Sequence, residues 1–367
     1  MINKIELQNF RGFKSFAAPL TPITIFGGKN NSGKTSLLEA IVFLYTHNDS
    51  NCFMRMNYLR HMNDQPLYTS VRLWEPLFYN FDTQNKLNII LRENELADKQ
   101  FELFRGETAV NDSNLANIKN NFVNTGMLQQ NYSLRFSYRS GNINESGSYE
   151  IIVNDSNQYM PNYNPIFINY DPQNNREKYI MQTVFFFKPE TMLNHNNLAQ
   201  WFGQLLLHGK NDLVVKALKI FEPGIKDLQT IVQGAYGYLY AIFTDGRKLP
   251  VSYMGDGMNR MLNILLGILS NPGSTILIDE IENGFHYSMY QKLWELIGKA
   301  AMENNCQLIV NTHSRDLIQG AVDGLRVVGY LDKLSYNRLA KNNDSIEAKV
   351  FDSELIAYAL KAEMEVR

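Results

Sequence analysis

Eight consecutive residues, Gly28-Lys29-Asn30-Asn31-Ser32-Gly33-Lys34-Thr35, have the Gly-x4-Gly-Lys-Thr spacing of a phosphate-binding loop. The residue types state the chemistry. Gly28 and Gly33 let the backbone curl so that successive N–H groups point inward at a helix N-terminus. Lys34 supplies a movable positive charge for β- and γ-phosphates, and the Thr35 hydroxyl suits a magnesium ion. A chance glycine-rich turn would share this composition but not its setting. Here "PITIF" leads in as a strand and "TSLLEAIVFLY" leads out as a helix.

Two further groups complete a reaction site. In "TILIDEIENGFH" an apolar run ends in Asp279-Glu280, placing two carboxylates where a buried parallel strand reaches the ligand-collecting edge of its sheet. Asp279 suits the magnesium shell, and Glu280 suits the base that polarises an attacking water. His313 follows the next buried strand in "LIVNTHS". A lone histidine is usually structural, but a strand beside that of Asp279 would carry His313 toward the γ-phosphate. The other five histidines have no zinc-like spacing. A fourth stretch, "SYMGDGMNRMLNIL" from Ser252 to Leu265, is a glycine turn before a helix and thus a second anion surface. Two phosphate surfaces and one nucleotide motif are reconciled by a head-to-tail dimer in which each chain's turn caps the other's nucleotide.

The elements that must position these groups follow from pattern. The 367 residues allow one large domain or two ordinary ones, and 44% apolar residues support a real core. Lys and Arg total 35 against 37 acidic residues, so no global basic field draws the chain onto nucleic acid. Cys52 and Cys306 form no zinc pattern or disulfide framework and suit a reducing compartment. "MINKIELQNF" lacks a signal-peptide core and no apolar run has bilayer length, so the expected setting is the cytoplasm, off the membrane.

Residues 2–26 read as two strands joined by a turn. Residues 50–165 carry short β-like runs, "KLNIILREN", "SLRFSYR" and "SYEIIVN", and read as an inserted antiparallel, strand-rich lobe. Residues 166–235 turn more helical, then "AYGYLYAIF" and "KLPVSYM" return to strands. From 258 helices alternate with the buried strands "STILIDE" and "CQLIVNTHS", with "LRVVGYL" as a last strand. Such alternation predicts an α/β class with a largely parallel core sheet covered on both faces. The domain division is then 1–49 with 166–367 for the core and 50–165 for the lobe.

Phosphate loop, glycine signature, Asp-Glu strand and downstream histidine, in that order, resemble an ABC-type ATPase head. More closely, the chain resembles the AAA15 or OLD-like ATPases, relatives of the RecF and SMC proteins. "KIELQNFRGFKSF", "GGKNNSGKTSLLEAI", "MGDGMNR", "LIDEIENGFH", "NTHSRDLI" and the tail "FDSELIAYALKAEMEVR" carry the likeness. It brackets nearly the whole chain, while residues 50–250 match loosely. The resemblance implies that ATP and Mg2+ are the cofactors and that Gly28, Asn30, Asn31, Ser32, Gly33, Lys34, Thr35 and Ser36 hold them. Asp279 would hold magnesium with Thr35, Glu280 would be the base, and His313 would sense the γ-phosphate. Ser252, Gly255, Asp256, Gly257 and Arg260 would act across a homodimer or higher homo-oligomer with ATP at its interface. Arg11, in "NFRGF", either approaches the nucleotide or is a solvated turn arginine. Gly255-Asp256 stands where transporters carry Ser-Gly, which argues against a transporter.

The function implied is an ATPase switch, slow in turnover, controlling a partner effector, a nuclease in bacterial antiphage defence, with any nucleic acid reached through that partner. OLD nucleases continue into a Toprim domain for which this sequence leaves no room, so cutting would fall to another polypeptide. The alternative is a RecF- or SMC-like ATPase acting on DNA in repair. A module that binds without hydrolysing is disfavoured by Glu280 and His313.

Overall fold

The computed structural model describes residues 1–47, 52, 56, 74–94, 96–106, 129–154, 166–168, 184–189, 195–342 and 345–365. Large parts of the expected 50–165 lobe therefore lie outside the described residues. The chain begins with three strands, β1 (Ile2–Phe10), β2 (Phe13–Pro19) and β3 (Ile23–Gly27), followed by helix α1 (Lys34–Thr46). The expectation of two strands over residues 2–26 missed a reversal at Arg11-Gly12, where Arg11 adopts φ 49°. Phe13 and Phe16 in β2 are buried, so the hairpin is part of the core.

Strands β4 (Leu87–Glu93), β5 (Lys99–Gly106), β6 (Gln129–Ser140), β7 (Ile143–Asn154) and β8 (Ile166–Ile168) follow, then β9 (Val184–Phe187). Helices α2 (His195–Leu207) and α3 (Asn211–Phe221) precede β10 (Ile225–Gln233), β11 (Tyr236–Phe243) and β12 (Lys248–Pro250). The rest alternates as α4 (Asp256–Ser270), β13 (Thr275–Ile278), α5 (Tyr290–Glu303), β14 (Gln307–Asn311) and α6 (Arg315–Val327). It closes with β15 (Leu334–Asn342), β16 (Ser345–Asp352) and α7 (Ser353–Lys361).

One sheet has the order β16-β15-β3-β14-β13-β9 and is parallel from β15 to β9, with β16 antiparallel at its edge. A second, fully antiparallel sheet has the order β2-β1-β4-β5-β6-β7-β8. The strands of the insertion thus extend a sheet begun by β1 and β2. A third sheet, β10-β11-β12, is a small antiparallel unit. The fold class is α/β, a largely parallel sheet set beside an antiparallel one.

Strands β3, β13 and β14 are buried at every residue because both faces are covered. Ile276, Ile278, Leu308 and Val310 pack with helices α4, α5 and α6, whereas Leu277 and Ile309 pack with α1 and the antiparallel sheet. That division by alternate residues is the pleat of a strand made visible. The stretch "LRVVGYL" is the end of α6 rather than a strand. Ser314 caps the helix by accepting the N–H of Leu317, and Leu317, Ile318, Ala321, Val322 and Leu325 bury one face. This helical spacing outweighs the β preference of Val327 and Val328. In "KLPVSYM" only Lys248–Pro250 is strand, and a short 3-10 turn takes over at Val251.

Helix α1 links the two sheets. Its first residue follows the phosphate loop, and its far end is gripped by the antiparallel strands. Phe43 meets Phe101 edge-on at 5.3 Å, and His47 stacks on Tyr138 at 4.4 Å. The Tyr45 hydroxyl donates to Glu93 at 3.3 Å, and Lys99 pairs with the same carboxylate.

Candidate active site

The loop before α1 takes its shape from β3, whose end is the sheet's carboxyl edge. Gly33 caps α1 in a left-handed conformation, φ 90°. A Cβ there would sit 2.8 Å from the Phe13 ring, so both backbone angle and space require glycine. The first turn of α1 contains no acidic residue, leaving its positive end open to an anion. Lys34 Nζ donates to the carbonyls of Gly28 at 2.8 Å and Lys29 at 2.9 Å, which holds the ammonium over the loop. Asn30 and Asn31 are exposed on the loop, Ser32 is buried beneath it, and Ser36 is half-buried in the first helical turn.

Strand β14 lies between β3 and β13, so the loop and the Asp279 strand are two strands apart. They nonetheless meet above β14. The Thr35 hydroxyl donates to Asp279 Oδ1 at 3.1 Å, and the Asn311 amide donates to the same oxygen at 3.0 Å. Asp279 is only 4% exposed. Burial draws the Lys34 ammonium below the ordinary lysine range, and the negative charges of Asp279, Glu282 and Glu280 oppose that pull.

Glu280 sits just past β13 with φ 45°, a conformation costing on the order of 1–3 kcal/mol for a side-chain-bearing residue. Two contacts hold it. Arg260 donates to the backbone carbonyls of Asp279 at 2.7 Å, Glu280 at 3.0 Å and Lys188 at 3.1 Å. The Asn283 amide donates to Glu280 Oε2 at 2.7 Å. His313 follows β14 with its side chain half-exposed, and its Nδ1 lies 2.9 Å from Glu282 Oε1.

The residues present fit a magnesium ion. Thr35 and Asp279 offer a hydroxyl and a carboxylate oxygen within hydrogen-bond distance of each other, and such hard oxygen donors, few in number, are what magnesium takes beside a phosphate.

The motifs span both halves of one sheet edge, and so does their likeness to known proteins. A family profile described as "AAA ATPase domain", AAA_15, matches residues 1–318. The chain belongs to the AAA_15 ATPase family. Across 382 aligned residues, covering 99% of each chain, it is 23% identical to an "ATP/GTP phosphatase" of Helicobacter pylori (strain ATCC 700392 / 26695). Over 76 residues, 20% of this chain and 21% of the relative, it is 37% identical to the "DNA replication and repair protein RecF" of Acholeplasma laidlawii (strain PG-8A). The fold is similar to that of an SMC head solved in complex with the C-terminal winged-helix domain of ScpA. The TM-score is 0.51 at 12% identity, with 96% of this chain and 98% of that one covered.

In this AAA_15 chain the structure brings Lys34, Thr35, Asp279, Glu280 and His313 to one edge. The turn from Ser252 to Arg260 divides. Ser252, Gly255 and Asp256 are exposed, whereas Gly257 and Arg260 are buried. A Cβ on Gly257 would lie 2.2 Å from the Gly284 carbonyl, and Arg260 donates to carbonyls of Lys188, Asp279 and Glu280 in the same chain. Both therefore hold their own chain together. Arg11 pairs with the buried Glu39 of α1 at 3.2 Å, so it is neither a solvated turn residue nor open to solvent.

Sequence reasoning overlooked Glu39, Glu282, Asn283 and Asn311. Glu39 had a signal, being the sole charge in "TSLLEAIVFLY". Asn311 had another, an amide closing an apolar strand. Glu282 and Asn283 had none beyond their closeness to Glu280.

Proposed function

We propose that the chain binds ATP with magnesium at the Gly28–Ser36 loop, hydrolyses it slowly and dimerises head to tail around it. On this reading the cycle controls a partner effector, a nuclease in bacterial antiphage defence, in the cytoplasm. The observation that supports hydrolysis is the contact of Thr35 with Asp279 above β14, close enough to Lys34 for Asp279 and Glu280 to act on its charge. The Helicobacter relative's name supports turnover and leaves the base open between adenine and guanine. The partner rests on the family resemblance alone.

Lys34 exchanges its loop carbonyls for β- and γ-phosphate oxygens, which hold the ammonium as a full charge. Thr35 and Asp279 would hold the magnesium, whose chemistry is to neutralise charge developing on the phosphates. Glu280, fixed by Asn283 and by the Arg260 clamp on its backbone, orients the attacking water and takes its proton. His313 meets the γ-phosphate from the neighbouring strand.

The test is Glu280→Gln, which keeps shape and removes the base. Magnesium-ATP binding should persist, turnover should fall at least about a hundredfold, and a closed dimer should accumulate by light scattering. Turnover like that of the wild type would remove Glu280 from its role. A second reading, a RecF- or SMC-like ATPase acting on DNA, is favoured by the 76-residue likeness to RecF. Turnover stimulated by DNA alone would support it over effector control, and ATP-dependent nuclease activity gained only with a second protein would support the first.

A further inference from the structure

Glu282 lies three residues past Asp279 in "LIDEIENGFH" and is nearly as buried. Its side chain is 6% exposed. Oε1 accepts the backbone N–H of His313 at 2.8 Å and lies 2.9 Å from His313 Nδ1. Oε2 is buried with no hydrogen-bond partner among the described residues. We infer that Glu282 is a positioning residue that fixes the orientation and tautomer of the His313 ring. The inference rests on the hydrolysis reading above and adds a residue to it.

The geometry decides where the ring proton lies. Oε1 already acts as an acceptor toward the His313 backbone, so the proton in its second contact sits on the imidazole Nδ1. With Nδ1 committed, Nε2 is the ring nitrogen left for a ligand. It carries a lone pair in the neutral ring and becomes a donor to phosphate only when the ring holds a second proton. The bond to the His313 backbone keeps the carboxylate in place, so a swing of the ring gives up the Nδ1 contact.

The bare second oxygen argues that this carboxylate is not there for stability. A buried charged group with half its acceptor capacity unmet is costly, and a neutral residue of the same shape would fold at least as well. Its charge also acts on the site, ranking behind Asp279 and ahead of Glu280 among those opposing the burial of the Lys34 ammonium. A third carboxylate at a site meant for phosphates is unfavourable unless it does something there, and its contacts are with His313.

The experiment has a spectroscopic arm and a kinetic arm. In protein labelled with 15N-histidine, the His313 signal is assigned by its loss in His313→Asn. The wild-type ring should be protonated at Nδ1 and bare at Nε2, and Glu282→Gln should shift it toward the Nε2–H form. With magnesium-ATP, Glu282→Gln should lower kcat about 10- to 100-fold with an unchanged or raised melting temperature. In the His313→Asn background the same substitution should change kcat by less than about twofold, because its effect runs through the ring. An Nε2–H ring in the wild type overturns the inference. So does a loss in the double variant as large as in the single one, which would make Glu282 act on the reaction itself. A wild-type protein without turnover defeats the hydrolysis reading while the ring tautomer still decides the pairing. If Glu282→Gln fails to fold, the wild-type tautomer decides again.

Discussion

The phosphate loop and the turn from Ser252 to Arg260 are both glycine-rich entries into a helix, yet they are built for different company. At the start of α1 the helix end carries no acid, and Lys34 and Thr35 already touch groups of their own chain. At the start of α4 Asp256 occupies the first turn, where its carboxylate satisfies the positive helix end and offsets its pull on a phosphate. The turn presents Ser252, Gly255 and Asp256 outward, while Gly257 and Arg260 face inward and shape the Asp279–Glu280 corner. A motif that reads as one unit in sequence is two devices in space, an exposed outer face and an inner clamp on the backbone of Asp279 and Glu280.

The contrast breaks first at Lys34. Lys34→Ala should lower turnover by about a thousandfold, on the scale of losing a principal charge-stabilising donor, measured with magnesium-ATP under saturation. Retained turnover would mean that the loop is not the site. Arg260→Ala comes next. It strips partners from three carbonyls and should reduce stability by about 3 kcal/mol in urea titration, with turnover falling because Glu280 loses its frame. A variant as stable as the parent would return Arg260 to the outer face. The two glycines sharpen the division. Gly257→Ala should cost about 2 kcal/mol through collision with the Gly284 carbonyl. Gly255→Trp meets no atom within 4 Å of its Cβ, so it should melt like the wild type and fail to dimerise with ATP. Equal melting losses in both would erase the boundary drawn between them. The smallest effect belongs to Asp256→Asn. It should strengthen ATP-promoted association by about threefold, within the range of a helix-end charge, as read by light scattering against nucleotide concentration.

Legibility followed the range of the interactions. Strands β13 and β14 and helix α1 were plain because a compact run of three branched apolar residues, or a loop followed by an apolar helix, leaves few options. The hairpin of β1 and β2 was not, since its reversal rests on Arg11 in a left-handed conformation, which no pattern announces. The end of α6 was misjudged because Val327 and Val328 favour strands locally, while the decision was made by burial of Leu317, Ala321 and Leu325 against neighbours distant in sequence. In the site, residues that meet phosphates carry motif spacing. Their supports do not. Glu282 matters through His313, 31 residues away, and Glu39 through Arg11. Neither pairing has a spacing rule, because strand order and a hairpin bring the partners together.

Helix α1 is 13 residues long, roughly 20 Å from the loop to the antiparallel sheet. Its loop end is free to exchange polar partners, whereas its far end is packed among Phe101, Tyr138 and the Glu93–Lys99 pair. In mechanical terms it is a lever with one clamped end. A tilt of about 3° at the loop displaces the far end by roughly 1 Å over that length, more than close-packed rings absorb without reseating. Whatever pivots the loop therefore also applies torque to the far strands of the antiparallel sheet.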